Sequence, residues 1–334
     1  MIFVTGGTGF IGSYIVKHLV AAGQPVMALR RSSVLPQHID ATVWDNVQWV
    51  EGDVLDVVTL ADIMPQCSAV IHAAAVVSFH KKDAARMRQV NVEGTANVVN
   101  AALESGTVKR FLHISSVAAL GRTKEEGAKD ETTEWKDNGN TTTYARTKHA
   151  AELEVWRGLA EGLEGAVLNP STVLGFGNWH QSSCAIFKNS YKEFPWYTDG
   201  VNGFVSVHDV AAAAVAVLNS NINGERFIVN AENLPFKWVF DQIAAGFGKK
   251  SPHKKATAFM SGVAWRLEAL KHLLGGPPPL LTAETAKIAQ SKTTFNNNKL
   301  LQALPQFKYQ PLQKVIQESC GQYLEAIRAG RLTL

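Results

Sequence analysis

Short apolar runs alternate with longer amphipathic stretches along the first half of the chain. Ile2–Thr5, Val26–Leu29, Val47–Glu51, Ala69–His72, Lys109–Ser115 and Gly165–Asn169 read as six strands. Between them, Ile11–Ala22, Val57–Met64, Asp83–Glu104 and Tyr144–Glu161 carry helical spacing. Strands and helices that alternate in this way form βαβ units. The strand runs are apolar at successive positions, as a sheet covered by helices on both faces requires. The pattern therefore predicts an α/β fold with a doubly wound parallel sheet over residues 1–169, to which 204–230 return. Beyond Asn169 the elements become shorter and more aromatic. His208–Leu218 reads as a helix, Arg226–Asn230 as a strand, and Trp238–Phe247, Phe259–Leu274 and Leu312–Ala326 as amphipathic helices, with a rigid break at Gly275–Pro279. Residues 170–203 and 231–334 are expected to form a smaller, mostly helical lobe for substrate. Arg122–Thr141 is polar and aperiodic, a long loop of the kind that is usually functional.

Composition narrows the classes. The net charge of +4 is spread along the chain without a basic run, so no nucleic-acid partner is expected. No apolar stretch has the length to span a bilayer, so no membrane partner is expected either. The three cysteines, Cys67, Cys184 and Cys320, form neither a disulfide framework nor a metal-binding pattern. The chain opens directly on a strand, which leaves no room for a leader; the expected location is cytoplasmic.

The strongest motif is Thr5-Gly6-Gly7-Thr8-Gly9-Phe10-Ile11-Gly12, between the first strand and the first helix. In that context the glycines allow a tight turn, close approach of backbone to a pyrophosphate, and close helix–strand packing. The helix N-terminus then offers unpaired N–H groups to the phosphates. Gly6, Thr8, Gly9, Phe10, Ile11 and Gly12 are thus expected to bind a dinucleotide on a Rossmann-type sheet. Strand two ends in Arg30 and Arg31 where a carboxylate would select NAD(H). Guanidinium groups suit a 2′-phosphate, so NADP(H) is the expected cofactor, with NAD(H) the alternative. Asp53 and Val54 follow strand three, where Asp53 could meet the adenine or cap the next helix. Ala73, Ala74 and Ala75 follow strand four, small enough to let the chain pass beneath a cofactor.

These motifs occur in one order with Asn91-Val92-Glu93-Gly94-Thr95, Ser115-Ser116, Tyr144-Ala145-Arg146-Thr147-Lys148 and Asn169-Pro170. Over residues 1–230 at least, the chain resembles the extended short-chain dehydrogenase/reductase superfamily, also called the NAD-dependent epimerase/dehydratase family. Within it the chain is most similar to the dihydroflavonol-reductase-like and 3β-hydroxysteroid-dehydrogenase-like branch. The resemblance implies a catalytic trio of Ser116, Tyr144 and Lys148, cofactor contacts from Tyr144, Lys148, Asn169 and Pro170, and structural roles for Asn91 and Asp209. It also suggests a homodimer through the helices 83–104 and 144–161. The residues support the trio independently. Tyr144 and Lys148 lie four apart and share a helix face. A nearby ammonium would lower the phenol's pKa, and a serine hydroxyl can donate to a carbonyl oxygen as charge develops on it.

Ser116 is followed by two apolar residues, Val117 and Ala118, where sugar-nucleotide dehydratases of this family carry an acid and a base; dehydration is disfavoured. The second lobe is rich in aromatics and poor in arginine, which suits a small or apolar carbonyl substrate. The expected activity is reversible, NADPH-dependent reduction of an aldehyde or ketone. Ser78, Phe79, Ser116, Val117, Trp179, Phe187, Tyr191 and Phe204 are the candidate substrate contacts. Two other readings use the same residues: a sugar or nucleotide-sugar epimerase, and a dinucleotide-sensing protein without catalysis. In the 122–141 loop, Trp135 is expected either to latch a lid onto the aromatic lobe when substrate binds or to lie permanently in the core of an inert surface excursion.

Overall fold

A computed structural model describes residues 1–121, 127–137, 141–257, 260 and 283–332. The helix expected over Phe259–Leu274, the break at Gly275–Pro279 and Lys124 of the long loop lie outside these residues. Seven parallel strands form the main sheet: β1 (Ile2–Thr5), β2 (Val26–Arg30), β3 (Val47–Glu51), β4 (Ala69–His72), β5 (Arg110–Ile114), β6 (Gly165–Pro170) and a later strand, Glu225–Val229. Their spatial order is Glu225–Val229, β6, β5, β4, β1, β2, β3. The order reverses between β1 and β4, which opens a crevice at the C-terminal strand ends, where such sheets bind ligands. β1, β4 and β6 are buried along their whole length, as their unbroken apolar runs require.

Helices cover both faces. α1 (Phe10–Ala21) lies on one, beside the helix Val207–Leu218. The other carries α2 (Val57–Ile63), capped by Asp56, and the pair formed by α3 (Gly94–Ser105) and α4 (Thr143–Ala160). The single helix expected over 83–104 is instead a series: a 3₁₀ turn at Lys81–Asp83, an α-turn at Ala84–Arg88, a π-helical turn at Gln89–Glu93, then α3. The π-turn has a local cause. Asn91 is fully buried and its amide is committed to partners on other segments: it accepts from Val76 N at 2.7 Å and donates to Val76 O at 3.0 Å and Thr147 Oγ1 at 3.0 Å. The extra residue per turn presents that side chain to both neighbours.

After β6 the chain leaves the main sheet. Thr172–Leu174, Val201–Ser206 and Glu232–Pro235 form a separate three-stranded sheet. A third apolar cluster, built on Trp179, Phe187, Phe204, Phe247 and Tyr323, packs beside it. Glu225–Val229 returns to the main sheet by pairing with β6, and Asp209 ties Val207–Leu218 to the C-terminal region by accepting from Gln310 N and Nε2. Among the described residues, no helix is long and apolar enough to cross a membrane.

Candidate active site

The glycine turn is built for close approach. Gly6 has φ +70°, in the left-handed region that favours glycine, and a Cβ there would lie 2.7 Å from the Ala73 carbonyl carbon. A Cβ on Gly12 would lie 2.1 Å from Gly6 O, so helix and turn can meet only through glycine. Gly9 is different: a Cβ would meet only Gly6 O, at 3.1 Å, so on the protein side its position is open. Gly9 is also the N-cap of α1 and supplies no side-chain oxygen to the first-turn N–H groups. An open glycine below an uncapped helix start fits a dinucleotide's pyrophosphate.

Among the described residues, one cleft of about 1670 Å³ runs from this turn to the second lobe. A pocket for one small molecule is typically about 300–1,000 Å³, so the cleft has room for a dinucleotide and a second ligand. Gly6, Thr8, Gly9, Phe10, Ile11, Gly12, Ala73, Ala75, Ser78, Phe79, Ser116, Val117, Tyr144, Lys148 and Pro170 all line it. These expected residues share one continuous surface.

Other expected residues lie outside that lining. Trp179, Phe187 and Phe204 are fully buried in the second lobe, where Trp179 stacks on Tyr323 at 5.6 Å and Phe204 meets Phe236 edge-on. Tyr191 packs against Trp179 and Phe247 in the same cluster. These four hold the lobe together instead of facing the cleft. The aromatics that do face it include Phe176, Trp196, Tyr197, Phe236, Phe240 and Phe295. Spacing alone could not separate the two sets, because both sit on apolar faces.

After β3, Val54 packs on Gly94, and its carbonyl accepts from Asn97. Ala74 joins the apolar layer under the sheet. Asp53 accepts from Leu55 N at 3.0 Å and lies 3.7 Å from Arg31, while Asp56 is the cap of α2. The two arginines part company: the Arg30 guanidinium turns over the Trp49 ring, and Arg31 stays exposed.

The expected trio comes from two elements, the turn after β5 and α4. Ser116 ends the turn after β5, where its hydroxyl accepts from Ala118 N at 3.2 Å. Thr142 caps α4 by accepting from Ala145 N, which places Tyr144 in the first turn and Lys148 one turn later. Phe79 meets the Tyr144 ring edge-on at 6.1 Å. Lys148 is 1 % exposed, and its Nζ donates to Ile114 O at 2.9 Å and to His113 Nε2 at 3.3 Å. Burial brings this ammonium down to about 8, and Glu152 opposes the fall. His113 in turn stacks on His72, and both imidazoles are held well below their ordinary range by burial and by Lys148.

One expectation is corrected here. Lys148 was to lower the Tyr144 phenol. The phenol is instead pushed up by burial, with a hydrogen bond from Ser116 pulling it part of the way back. Two of the ammonium's three donors go to Ile114 and His113. Asn169 also takes a different part. It is fully buried, and its amide donates to Glu152 Oε1 at 2.6 Å and to Ser116 O at 3.0 Å, supporting the site from beneath. His113, Glu152 and Arg226 were not singled out from the sequence. Glu152 continues the Tyr144–Lys148 spacing by another four residues, a signal that was available.

The model of the NAD dependent epimerase/dehydratase family matches residues 2–230. The chain belongs to this family. Its fold and its NAD(P)-dependent oxidoreductase character follow from that membership. A dihydroflavonol 4-reductase candidate of Synechocystis sp. is 28% identical over 309 residues, covering 90% of this chain and 88% of the relative. Cinnamoyl-CoA reductase 1 of Oryza sativa subsp. japonica is 31% identical over 234 residues, covering 65% and 67%. The crystal structure of gox2253 superposes with a TM-score of 0.82 at 28% identity, over 100% of this chain and 99% of that one. Within the epimerase/dehydratase family, then, the chain is similar to reductases along most of its length.

Proposed function

We propose that this chain reduces an aldehyde or ketone to an alcohol with NADPH, reversibly, on a small or apolar substrate. The observation that carries the reading is that Ser116, Tyr144 and Lys148 line one cleft together with the glycine turn and with aromatic side chains of the second lobe. When bound, the nicotinamide supplies the hydride. The Ser116 hydroxyl donates to the carbonyl oxygen, where negative charge develops. Tyr144 then gives its proton to that oxygen; a phenol kept neutral is in the right state to act as the acid. Lys148, one helical turn on, has one N–H beyond those given to Ile114 and His113, and that donor would hold a ribose hydroxyl of the cofactor. Similarity to a dihydroflavonol-reductase candidate and to a cinnamoyl-CoA reductase favours reduction of a carbonyl carried on an apolar body.

The preference for NADPH rests on Arg31, which is exposed at the adenine end beside Asp53. Arg31→Ala should weaken NADPH far more than NADH, since a charge-assisted hydrogen bond is worth about 1.5–3 kcal/mol, roughly 10- to 100-fold. Equal weakening in titrations of both cofactors would remove Arg31 from the 2′-phosphate.

The chemistry is tested by Tyr144→Phe, assayed by NADPH consumption against a panel of apolar aldehydes and ketones. Turnover should fall by roughly 10²–10⁴ with NADPH affinity nearly kept. Turnover close to that of the unaltered chain would overturn the role of Tyr144. Activity without added dinucleotide, on protein that retains it through purification, would favour epimerisation over net reduction.

A further inference from the structure

Tyr144, Lys148 and Glu152 follow one another at four-residue intervals along one face of α4, and Glu152, like Lys148, is 1 % exposed. A carboxylate this deeply buried is costly without partners. One oxygen, Oε1, accepts from Asn169 Nδ2 at 2.6 Å. The other has no hydrogen-bond partner and lies 3.6 Å from the Arg226 guanidinium. Arg226 reaches in from the edge strand and is itself fixed, donating to Glu131 O at 2.8 and 2.6 Å and to Thr133 O at 3.3 Å. The Asn169 amide that binds Glu152 also binds the Ser116 carbonyl at 3.0 Å.

We propose that Glu152 is a positioning residue for the reaction, serving as the buried counter-charge to the Lys148 ammonium one helical turn away and, through Asn169, as the brace for the Ser116 backbone. The proposal rests on the reading of Ser116, Tyr144 and Lys148 given above.

The groups packed around Lys148 show why an acid is needed there. From β4 and β5 come His72 and His113, which burial and the ammonium itself keep neutral. From its own helix come Tyr144, a neutral phenol, and Glu152; His149 lies further round, stacked on Trp135. Asn169 and the Ile114 carbonyl are uncharged. Arg226 adds a second cation, whose nearest acid is the same Glu152. Glu152 is therefore the acidic side chain of this cluster. Burial pushes its carboxyl up, and Ser115, Asn169, Arg226 and Lys148 each pull it back. The same pairing holds Lys148 up against the desolvation that brings it to about 8.

Glu152→Gln removes the charge and keeps the size. Turnover and NADPH affinity are measured from pH 6 to 10. Both fall on the alkaline side as Lys148 loses its proton. In the variant that limb should move to lower pH by about one unit, the usual effect of losing one nearby opposite charge, so the gap from the unaltered enzyme widens to roughly tenfold above the limb. A purely structural role would lower activity by one factor at every pH. Coincident limbs would overturn the proposal. Glu152→Asp keeps the charge but withdraws it by one methylene, so its limb should move in the same direction by less. If the glutamine variant does not fold, Glu152→Met, which also removes the charge at similar size, carries the test, and a coincident limb there overturns the proposal equally. The readings fail separately. Near-normal turnover in Tyr144→Phe defeats the trio; loss of turnover there with unmoved limbs in the Glu152 variants defeats only the role of Glu152.

Discussion

The two walls of the cleft were built under different constraints. On the sheet side, residues are placed by backbone necessity. Gly6 must take a positive φ, Gly12 must admit Gly6 O, and Tyr144 and Lys148 share a helix face whose start is fixed by Thr142. On the second-lobe side, aromatic side chains are placed by packing, and the same residue types serve as core and as lining. Phe187 and Phe204 are buried against other rings, while Phe240, from the helix Phe236–Phe247, is half-buried and faces the cleft. A motif fixed by backbone geometry announces its position in the chain. An apolar side chain announces only that one of its faces is covered.

Substitutions in the second lobe sharpen this contrast most. Phe187→Ala should cost about 3–5 kcal/mol of stability, because it empties a site ringed by Tyr323 and Phe247. Phe240→Ala should cost much less stability but raise KM by roughly ten- to a hundredfold, the worth of roughly 1.5–3 kcal/mol of apolar burial transferred to the ligand. Urea denaturation with steady-state kinetics on both variants checks the pair. If Phe187→Ala changes KM at normal stability, or Phe240→Ala unfolds the lobe with KM unaltered, the assignment of core and lining is wrong.

The same contrast explains what the sequence disclosed. The parallel sheet, the crevice and the grouping of Ser116, Tyr144 and Lys148 were legible because each depends on neighbours near in the chain or on the βαβ unit. The break in the 83–104 helix was not legible. It arises because Asn91 answers to Val76 and Thr147, fifteen and 56 residues away. The upward push on the Tyr144 phenol was not legible either, because it comes from burial, which the four-residue spacing to Lys148 does not disclose. Glu152 shows the opposite case. Its spacing was visible, but its burial and its pairing with Arg226 depend on the edge strand's return to the sheet.

The smallest expected effect concerns Trp135, which belongs to neither wall. A lid would carry it onto the aromatic lobe. The structure places it against the outer side of α4, stacked on His149 with ring centroids 4.1 Å apart and 2° between planes, and beside Gly121. The segment around it is fastened at several points. Arg226 holds the carbonyls of Glu131 and Thr133, Glu131 accepts from Ile228 N at 2.8 Å, Arg146 pairs with Asp137, and Lys129 bridges to Phe295. Ile228 lies on an edge strand, so Glu131 satisfies an N–H that the sheet leaves unpaired. These contacts describe a strap that seals the sheet edge and steadies α4, and a strap should respond little to ligand. Trp135→Ala should cost about 0.5–1.5 kcal/mol beyond the lost apolar area, the worth of a stacked aromatic pair, with kcat and KM changed less than about threefold. Tryptic cleavage at Lys129 should proceed at the same rate with and without NADPH and a substrate analogue. Strong protection by ligand, together with a raised KM in Trp135→Ala at unchanged stability, would restore the lid.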